Sequence, residues 1–425
     1  MNENMNERFA LAADAADPCD RAGFLIPPAP SGQAPYPETA YFAGNSLGLQ
    51  PRNAAEAVRA ELDEWAGRAV EGWFTAERPW ARYPGLLRAD AAALTGALPE
   101  EVVVMNSLTI NLHLMMATFY RPAVDRTRIV IEDTAFPSDA YAVAGQASWH
   151  GLDPAATVVR LAAGDVPAYL AEHGHRVALV LLGGINYLTG ELLDIPGITA
   201  AGHAAGCVVG WDLAHAAGNV PLRLHDWNVD FAVWCSYKYL NGGPGAPGGC
   251  FVHRAHLDDP SLPRLAGWWG TDERVRFEMR PELDHVASAD AWQVSTPPIL
   301  GLAALRVSLA AMAGTGITAL RARSLRLTGY LESLLGPLSG PVELITPAAP
   351  ARRGAQLSIR VTGGDAAALA ERLHLRHAVL ADVRRPDVIR FAPAPMYSTY
   401  HDCWRAATAL ATELNRDDLL HPSTL

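Results

Sequence analysis

Two short apolar segments near the middle of the chain each lead to a charged residue, and this pattern constrains the fold more than any other. Residues 207–211 end at Asp212, and residues 229–235 lead through Ser236 and Tyr237 to Lys238 and a glycine- and proline-rich loop. Short apolar runs bounded by turn residues are typical of buried strands in a covered sheet. Because open α/β sheets bind ligands at the ends of their strands, we expect Asp212 and Lys238 to lie at a binding edge.

Lys238 is the only lysine in the chain, although lysine and arginine together number 34. Arginine cannot replace an amine that must lose its proton, so a single retained lysine indicates a need for that amine. A lysine that forms a Schiff base, opposite an acid that keeps a pyridine nitrogen protonated, predicts pyridoxal phosphate. The alternatives are a solvated loop lysine and an Asp212 that caps a helix over residues 213–216. His215 either lies near the ring or packs in the core.

Composition excludes several classes of protein. The formal net charge of -11 argues against nucleic acid or an anionic membrane as the main partner. The five cysteines form no CxxC pair and no metal-ligand spacing, which predicts no metal site and a reducing compartment. The polar, acidic N-terminus has no export signal, and no apolar run approaches the roughly 20 residues of a membrane span. We therefore expect a soluble cytoplasmic protein.

The order of apolar runs predicts an α/β fold with a mostly parallel central sheet. A chain of 425 residues is long enough for two domains. We expect an N-terminal arm over 1–48, a large cofactor-binding domain over 49–298, and a connecting helix with a small α+β C-terminal domain over 299–425. Strands are predicted at 102–105, 128–131, 156–160, 177–182, 207–211, 229–235, 249–253 (antiparallel), 342–345, 356–361, 379–381 and 388–391. Helices are predicted at 110–120, 299–336 with a break at 314–316, 366–373 and 401–414.

Other candidate residues each have a second interpretation. Residues 107–109, between a strand and a helix, offer a phosphate cradle or an ordinary helix cap. Phe136 can stack on a flat cofactor or fill a turn. Trp268, in a glycine-bounded loop, can form an aromatic wall or an interface anchor. Arg390 can bind a substrate carboxylate or lie at the surface.

Sequence blocks along nearly the whole chain resemble the kynureninases, pyridoxal-phosphate enzymes of the aspartate-aminotransferase fold group (fold type I). The blocks are YFAGNSLGL (41–49), NSLTINLH (106–113), FPSDAYA (136–142), NYLTGELLDI (186–195), residues 210–245 with DLAHA and CSYKYLN, GWWG (267–270), STPPI (295–299) and RFAPAPMY (390–397). The resemblance implies that Lys238 binds the cofactor covalently, Asp212 pairs with its ring nitrogen and Phe136 stacks on the ring. The other cofactor contacts that it implies are Leu108, Thr109, Pro137, Ser138, Asp139, His215, Tyr237, Trp268 and Thr296, the last two from the partner subunit of a homodimer with shared active sites.

The resemblance also implies the reaction. It is hydrolysis of the Cβ–Cγ bond of L-kynurenine to anthranilate and L-alanine in tryptophan catabolism, with Lys238 and Tyr237 as catalytic residues and Arg390 binding the substrate α-carboxylate. Gly183 stands where relatives often carry a hydroxyl. Trp73 and Thr296 stand where enzymes that prefer 3-hydroxykynurenine tend to have His and Asn, so we expect 3-hydroxykynurenine to be the poorer substrate. An aminotransferase or cysteine desulfurase of the same fold, and a cofactor-binding regulator without activity, are the rival interpretations.

Overall fold

The computed structural model describes residues 6–30, 32 and 34–420. The predicted N-terminal arm includes residues 1–5, 31 and 33, and the predicted C-terminal domain includes 421–425, which lie outside the described residues. The strands are β1 Ala40–Tyr41, β2 Val102–Met105, β3 Arg128–Glu132, β4 Val158–Leu161, β5 Val177–Gly183, β6 Val208–Asp212, β7 Phe231–Trp234, β8 Gly248–Val252, β9 Val342–Leu344, β10 Leu357–Val361, β11 Val379–Leu380, β12 Asp382–Arg384 and β13 Val388–Phe391. The α-helices are α1 Glu7–Ala16, α2 Ala54–Arg68, α3 Gly72–Thr75, α4 Gly85–Thr95, α5 Leu108–Phe119, α6 Pro137–Trp149, α7 Pro154–Thr157, α8 Val166–His173, α9 Ile195–Ala204, α10 Ile299–Thr315, α11 Ile317–Leu335, α12 Ala366–His377 and α13 Tyr400–Leu420.

Internal contacts divide the described chain into two compact units. The sheet unit comprises Asn53–Asn186 and Leu193–Gly314. The terminal unit comprises the described residues up to Arg52, the segment Tyr187–Leu192, and the chain from Thr315 onwards. This grouping changes unit at Arg52 and Gly314, and the domain boundaries at residues 48 and 298 stay a prediction.

The sheet unit is built around seven strands in the order β2-β8-β7-β6-β5-β3-β4. The five strands from β7 to β4 run parallel to one another, whereas β8 is antiparallel to both β7 and β2. The prediction of a mostly parallel sheet is therefore confirmed, including the antiparallel return after the Lys238 loop. Strands β2, β5, β6, β7 and β8 are almost entirely buried, as expected for a sheet with helices on both faces.

The terminal unit has an antiparallel sheet in the order β12-β13-β10-β9 and a short parallel pair, β1 and β11. Its core joins apolar residues of α11, α12, α13 and the strands. Helix α1 packs on α13, and Asp14 of α1 accepts hydrogen bonds from the backbone N–H groups of Tyr400 and His401 at 2.7 and 3.1 Å. This carboxylate satisfies donors that a helix N-terminus leaves unpaired.

Several elements differ from the sequence prediction: strand β1 was not predicted, and helix α13 extends past its predicted end at residue 414. Strand β4 begins at Val158 rather than at 156, because Pro154–Thr157 form a helical turn opened by Asp153, whose carboxylate accepts from Ala155 N. Strand β12 was not predicted, since Asp382–Arg384 show no apolar run and are only half-buried. Within residues 6–30, 32 and 34–420, no single helix is long and apolar enough to cross a membrane. Among these residues, only Ile299–Thr315 and Ile317–Leu338 taken together, with a bend of 81° between them, have the length and composition of a span.

Candidate active site

Lys238 lies in the loop after β7, with its amine held beside an imidazole. Its Nζ is 3.1 Å from Nε2 of His215 and 6.0 Å from the centroid of the Phe136 ring. The loop turns back on itself through hydrogen bonds from Asn241 N to the Lys238 carbonyl and from Gly242 N to the Ser236 carbonyl. His215 comes from the turn after β6, so two neighbouring strands supply the amine and the imidazole.

Asp212, the last residue of β6, and Asp139, in the first turn of α6, form a buried pair of carboxyl groups. Burial raises the pKa of Asp139 well above its ordinary value, and the negative charge of Asp212 raises it further. Burial also raises the pKa of Asp212, although the Lys238 ammonium lowers it. Because the Lys238 ammonium and the N–H of Ala214 both stabilise a negative charge on Asp212, we assign the proton of the pair to Asp139 and the negative charge to Asp212.

The carboxylate of Asp212 also caps the local chain, as the alternative interpretation required. Its Oδ1 accepts a hydrogen bond from Ala214 N at 2.7 Å. The predicted helix over 213–216 is instead a turn, in which Ala216 and Ala217 donate to the Leu213 carbonyl. The cap orients the carboxylate at the strand end, so the structural and the chemical interpretation of Asp212 are compatible.

A third buried carboxylate, Glu132 at the end of β3, lies next to Gly183 and was not singled out from the sequence. Its Oε2 accepts from Gly183 N at 3.3 Å and lies 3.2 Å from the place of a Cβ at position 183. Its Oε1 accepts from Asn186, whose side-chain amide also donates to Thr134 at 2.9 Å. Glu132 thus borders the space that a hydroxyl side chain at position 183 would enter.

Helix α5 begins at Leu108, where the predicted phosphate cradle lies. Asn106 has a positive φ of 48°, and Ser107 makes no side-chain cap bond, so its hydroxyl does not satisfy the first N–H groups of the helix. The Thr109 hydroxyl lies 2.7 Å from that of Ser138 on α6. The structure therefore brings two hydroxyls to a helix N-terminus that its N-cap side chain leaves uncapped, an arrangement suited to an anion.

Tyr237 is half-buried next to Lys238, with its hydroxyl hydrogen-bonded to the Cys235 thiol. Burial raises the pKa of the Tyr237 hydroxyl far above its ordinary value, and Cys235 raises it further. Burial likewise raises the pKa of the Cys235 thiol. Tyr237 is therefore a protonated donor throughout the neutral range.

Trp73 and Trp268 lie in an aromatic cluster of the same unit. Trp73 is half-buried, with ring centroids 5.7 Å from Trp80 and 5.4 Å from Trp269. The Trp268 indole N–H donates to the carbonyl of Arg276 at 2.9 Å, and its ring is 44% exposed. Thr296 is exposed in the segment before α10. The contacts predicted for these three residues with the substrate or the cofactor stay predictions.

Arg390 belongs to the terminal unit and is fully buried on β13, contrary to a surface arginine. It donates to the carbonyl of Tyr187 and pairs with the carboxylate of Asp382. Its Nη2 also donates to the hydroxyl of Ser46 at 3.1 Å. Asp382 and Ser46 were missed because they meet Arg390 only through pairing of β12 with β13 and of distant loops, which no local pattern reveals.

A second group of titratable side chains, Glu101, His225 and His253, has atoms close enough to be considered for a metal ion. Glu101 already accepts from Leu98 N, Arg254 N and His225 Nδ1, at 2.8, 2.9 and 2.9 Å. The two imidazole rings stack at 12°, so their in-plane lone pairs cannot converge on one ion. We interpret this group as a hydrogen-bonded structural cluster.

Comparisons with known proteins agree with this arrangement. A family model described as "Kynureninase C-terminal domain" matches residues 320–410. The kynureninase of Salinispora tropica is 60% identical over 416 residues, covering 95% of this chain and 96% of the relative. That of Koribacter versatilis is 50% identical over 421 residues, covering 96% and 98%.

Among solved structures, a variant of C-DES with glycine covalently linked to its PLP cofactor has a TM-score of 0.75 at 19% identity, covering 88% of this chain and 96% of that chain. At this identity the likeness supports the fold alone. The fold is that of the fold type I pyridoxal-phosphate enzymes, as predicted.

Proposed function

The chain belongs to the kynureninase family, an enzyme family of carbon–carbon hydrolases, and we propose that it cleaves the Cβ–Cγ bond of L-kynurenine to give anthranilate and L-alanine. The observation that carries the proposal is the position of the only lysine, with Nζ 3.1 Å from His215 and next to the buried carboxylate of Asp212. Its cofactor is pyridoxal 5'-phosphate.

The residues present fit this cofactor. Oδ1 of Asp139 is buried without a hydrogen-bond partner among the described residues, so the carboxyl pair has acceptor capacity that an N–H group can use. Phe136 is 44% exposed and offers a ring face close to Lys238. When bound, the cofactor supplies an aldehyde for the Lys238 amine and a protonated ring that withdraws electrons from the substrate α-carbon.

We assign each residue a role from its surroundings. Lys238 holds the cofactor and moves a proton at the substrate α-carbon, and the negative charge of Asp212 keeps the ring nitrogen protonated. Phe136 and His215 flank the ring. The phosphate is bound by Leu108, Thr109 and Tyr237, with Pro137, Ser138 and Asp139 completing the cofactor contacts.

Hydrolysis adds the hydroxyl of water to the γ-carbonyl carbon and a proton to the β-carbon. Tyr237 is suited to donate the proton to the β-carbon, because its raised pKa keeps the hydroxyl protonated. Arg390 is proposed to bind the α-carboxylate, which fixes the orientation of the cleaved bond.

We propose a homodimer in which Trp268 and Thr296 complete the active site of the partner subunit. The support is an exposed aromatic group: the ring of Phe277 lies 5.4 Å from that of Trp268 and 5.1 Å from that of Phe74, and all three are partly exposed. Exposed aromatic clusters of this kind are typical of interfaces. Cytoplasmic location and a place in tryptophan catabolism belong to the same proposal.

A cysteine desulfurase would need a reactive, accessible thiol. Cys207, Cys235, Cys250 and Cys403 are buried, and burial raises the pKa of each. Cys19 is half-buried in the terminal unit, and its pKa is raised as well. No thiolate suited to attack on a substrate sulfur is favoured, which supports the hydrolase over this rival.

Product identification tests the proposal. The purified holoenzyme, given L-kynurenine, is expected to release anthranilate and L-alanine in equal amounts, because each cleaved bond yields one of each. Quantifying both by chromatography separates hydrolysis from transamination, which would yield a keto acid, and from desulfuration, which would yield a persulfide from cysteine. Absence of anthranilate would rule the proposal out.

A further inference from the structure

Four side chains of the terminal unit form one hydrogen-bonded group that we call the Asp382 cluster: Ser46, Asp382, Arg384 and Arg390. Oδ2 of Asp382 accepts from Arg390 and from the Ser46 hydroxyl, whereas Oδ1 accepts from Nη1 of Arg384 at 3.0 Å. The Ser46 hydroxyl also accepts from both guanidinium groups, at 3.3 Å from Arg384 and 3.1 Å from Arg390. Asp382 therefore divides its two oxygens between two arginines.

The charges of this cluster do not balance. Two guanidinium cations share one carboxylate, so the four side chains carry one net positive charge. Side-chain exposure is 0% for Arg390, 12% for Asp382 and 33% for Arg384, and charges in such surroundings are less screened than in water. A net positive charge within these four side chains, at a partly buried position, favours an anion.

Arg384 also has an unused donor. Its Nη1 donates to Asp382 and to the Val383 carbonyl, and its Nη2 donates to Ser46. Its Nε is buried and has no hydrogen-bond partner in the described part of the chain. Burial lowers the pKa of Arg384, because desolvation disfavours its cationic form. An incoming carboxylate would reduce that desolvation penalty.

We propose that Arg384 is a second arginine of the substrate-carboxylate site. It pairs with Asp382, so that Asp382 neutralises Arg390 only in part and Arg390 keeps positive charge for the α-carboxylate. The inference rests on the proposed function, in which Arg390 binds that carboxylate. With Arg384 in place, the cluster is positive when empty and neutral when a carboxylate is bound. Without Arg384, Asp382 and Arg390 neutralise each other, and an incoming carboxylate must compete with Asp382.

The substitution Arg384→Gln tests this role. In the holoenzyme, KM for L-kynurenine is expected to rise about tenfold or more with kcat within about threefold, because Asp382 then neutralises Arg390 and competes with the bound carboxylate. The inhibition constant of the amine that L-kynurenine gives on loss of its α-carboxyl group is expected to stay unchanged. A merely structural defect would weaken both ligands. Arg384→Lys, which keeps the cation, is expected to recover most of the KM.

A charge-rescue variant sharpens the test. Asp382→Asn combined with Arg384→Gln restores one net positive charge on Arg390, so its KM is expected to fall back to within a few-fold of the wild type. If Arg384 only supported the β12–β13 hairpin, the second substitution would add damage instead. The double variant also keeps the inference testable if Arg384→Gln does not fold. Arg360→Gln is the matched control, because Arg360 of β10 pairs with Glu343 and Asp387 outside the cluster.

The outcomes separate the inference from the function on which it rests. A wild type that leaves L-kynurenine intact overturns both. An active wild type with Arg384→Gln at the wild-type KM overturns the inference alone, as does a double variant with a KM higher than that of Arg384→Gln. Loss of affinity for the decarboxylated amine equal to that for L-kynurenine also overturns it.

Discussion

At the scale of single residues, the chemistry depends on groups whose environments differ over a few ångströms. Asp212 ends β6 and Lys238 lies in the loop after the neighbouring parallel strand β7, whereas His215 and Asp139 come from a turn and from α6. Burial and mutual repulsion disfavour two negative charges in this pair, and the Lys238 ammonium and the N–H of Ala214 favour Asp212 as the anion. Two chemically identical side chains thereby acquire different roles.

Tyr237→Phe tests the assignment of the proton donor. The variant loses the hydroxyl that burial keeps protonated, so kcat is expected to fall by about 10²- to 10⁴-fold while KM changes little. In the wild type, no loss of kcat from ionisation of this hydroxyl is expected below the ordinary tyrosine pKa of 10.0, because the shift is upward. Steady-state rates across pH measure both effects. A variant with the wild-type kcat would remove Tyr237 from the mechanism.

Trp73→His tests the predicted substrate preference. The Trp73 indole packs against Trp80 and Trp269, and an imidazole would be smaller and able to hydrogen-bond a phenolic hydroxyl. The ratio of kcat/KM for 3-hydroxykynurenine to that for kynurenine is expected to rise by about tenfold or more. Trp65→His on the exposed face of α2 is the control, with an unchanged ratio. Equal kcat/KM values in the wild type would contradict the prediction.

At the scale of elements, Asp230 ties four segments of the sheet unit together. Its carboxylate accepts from Val209 N of β6 at 2.7 Å, and from His203 of α9 and His256 after β8, both at 2.8 Å. Burial alone would raise the pKa of Asp230, but these hydrogen bonds outweigh it and lower the pKa to about 2. The negative charge is therefore stabilised by folding.

Asp230→Asn is expected to lower the stability of the sheet unit by about 2 kcal/mol near neutral pH. Since the folded pKa is depressed, this contribution is fully present above the unfolded value of 3.8 and is lost as the pH falls towards about 2. The hydrogen bond to Asp230 raises the pKa of His203. The protonated imidazole therefore contributes stability that is lost as the pH rises through the raised pKa of His203. Unfolding midpoints across pH, compared with the exposed control Asp226→Asn, measure the difference. A pH-independent difference would contradict the account.

Sequence patterns located most elements because buried strands are apolar along their whole length. Strands β2, β5, β6, β7 and β8 were predicted to within two residues for this reason, as was the break between α10 and α11. Strand β12 could not be predicted, since Asp382–Arg384 are polar and their pairing depends on β13. The same limit applies to the site: Lys238 stood out as the only lysine, but Glu132, Ser46 and Asp382 acquire meaning only from contacts between distant residues.

At the scale of the whole molecule, each unit carries a different part of the proposed task. The sheet unit holds the amine, the carboxyl pair and the hydroxyls proposed for the cofactor, and the terminal unit holds the arginine proposed for the substrate carboxylate. Among the described residues, the groups that we propose for the reaction are divided between the two units. We therefore expect catalysis to depend on the intact chain.

Kynurenine cleavage is proposed to depend on Lys238, the only lysine of this chain, which binds the cofactor and moves the α-proton. The most direct measurement is the rate of anthranilate release from L-kynurenine by the holoenzyme and by Lys238→Arg, which keeps the positive charge but offers no amine that can lose its proton. We expect steady release by the wild type and a loss of at least about 10³-fold in the variant, because the nucleophilic and proton-transfer roles of the lysine are lost together. A wild type without anthranilate release, or a Lys238→Arg variant that retains it, would contradict the account.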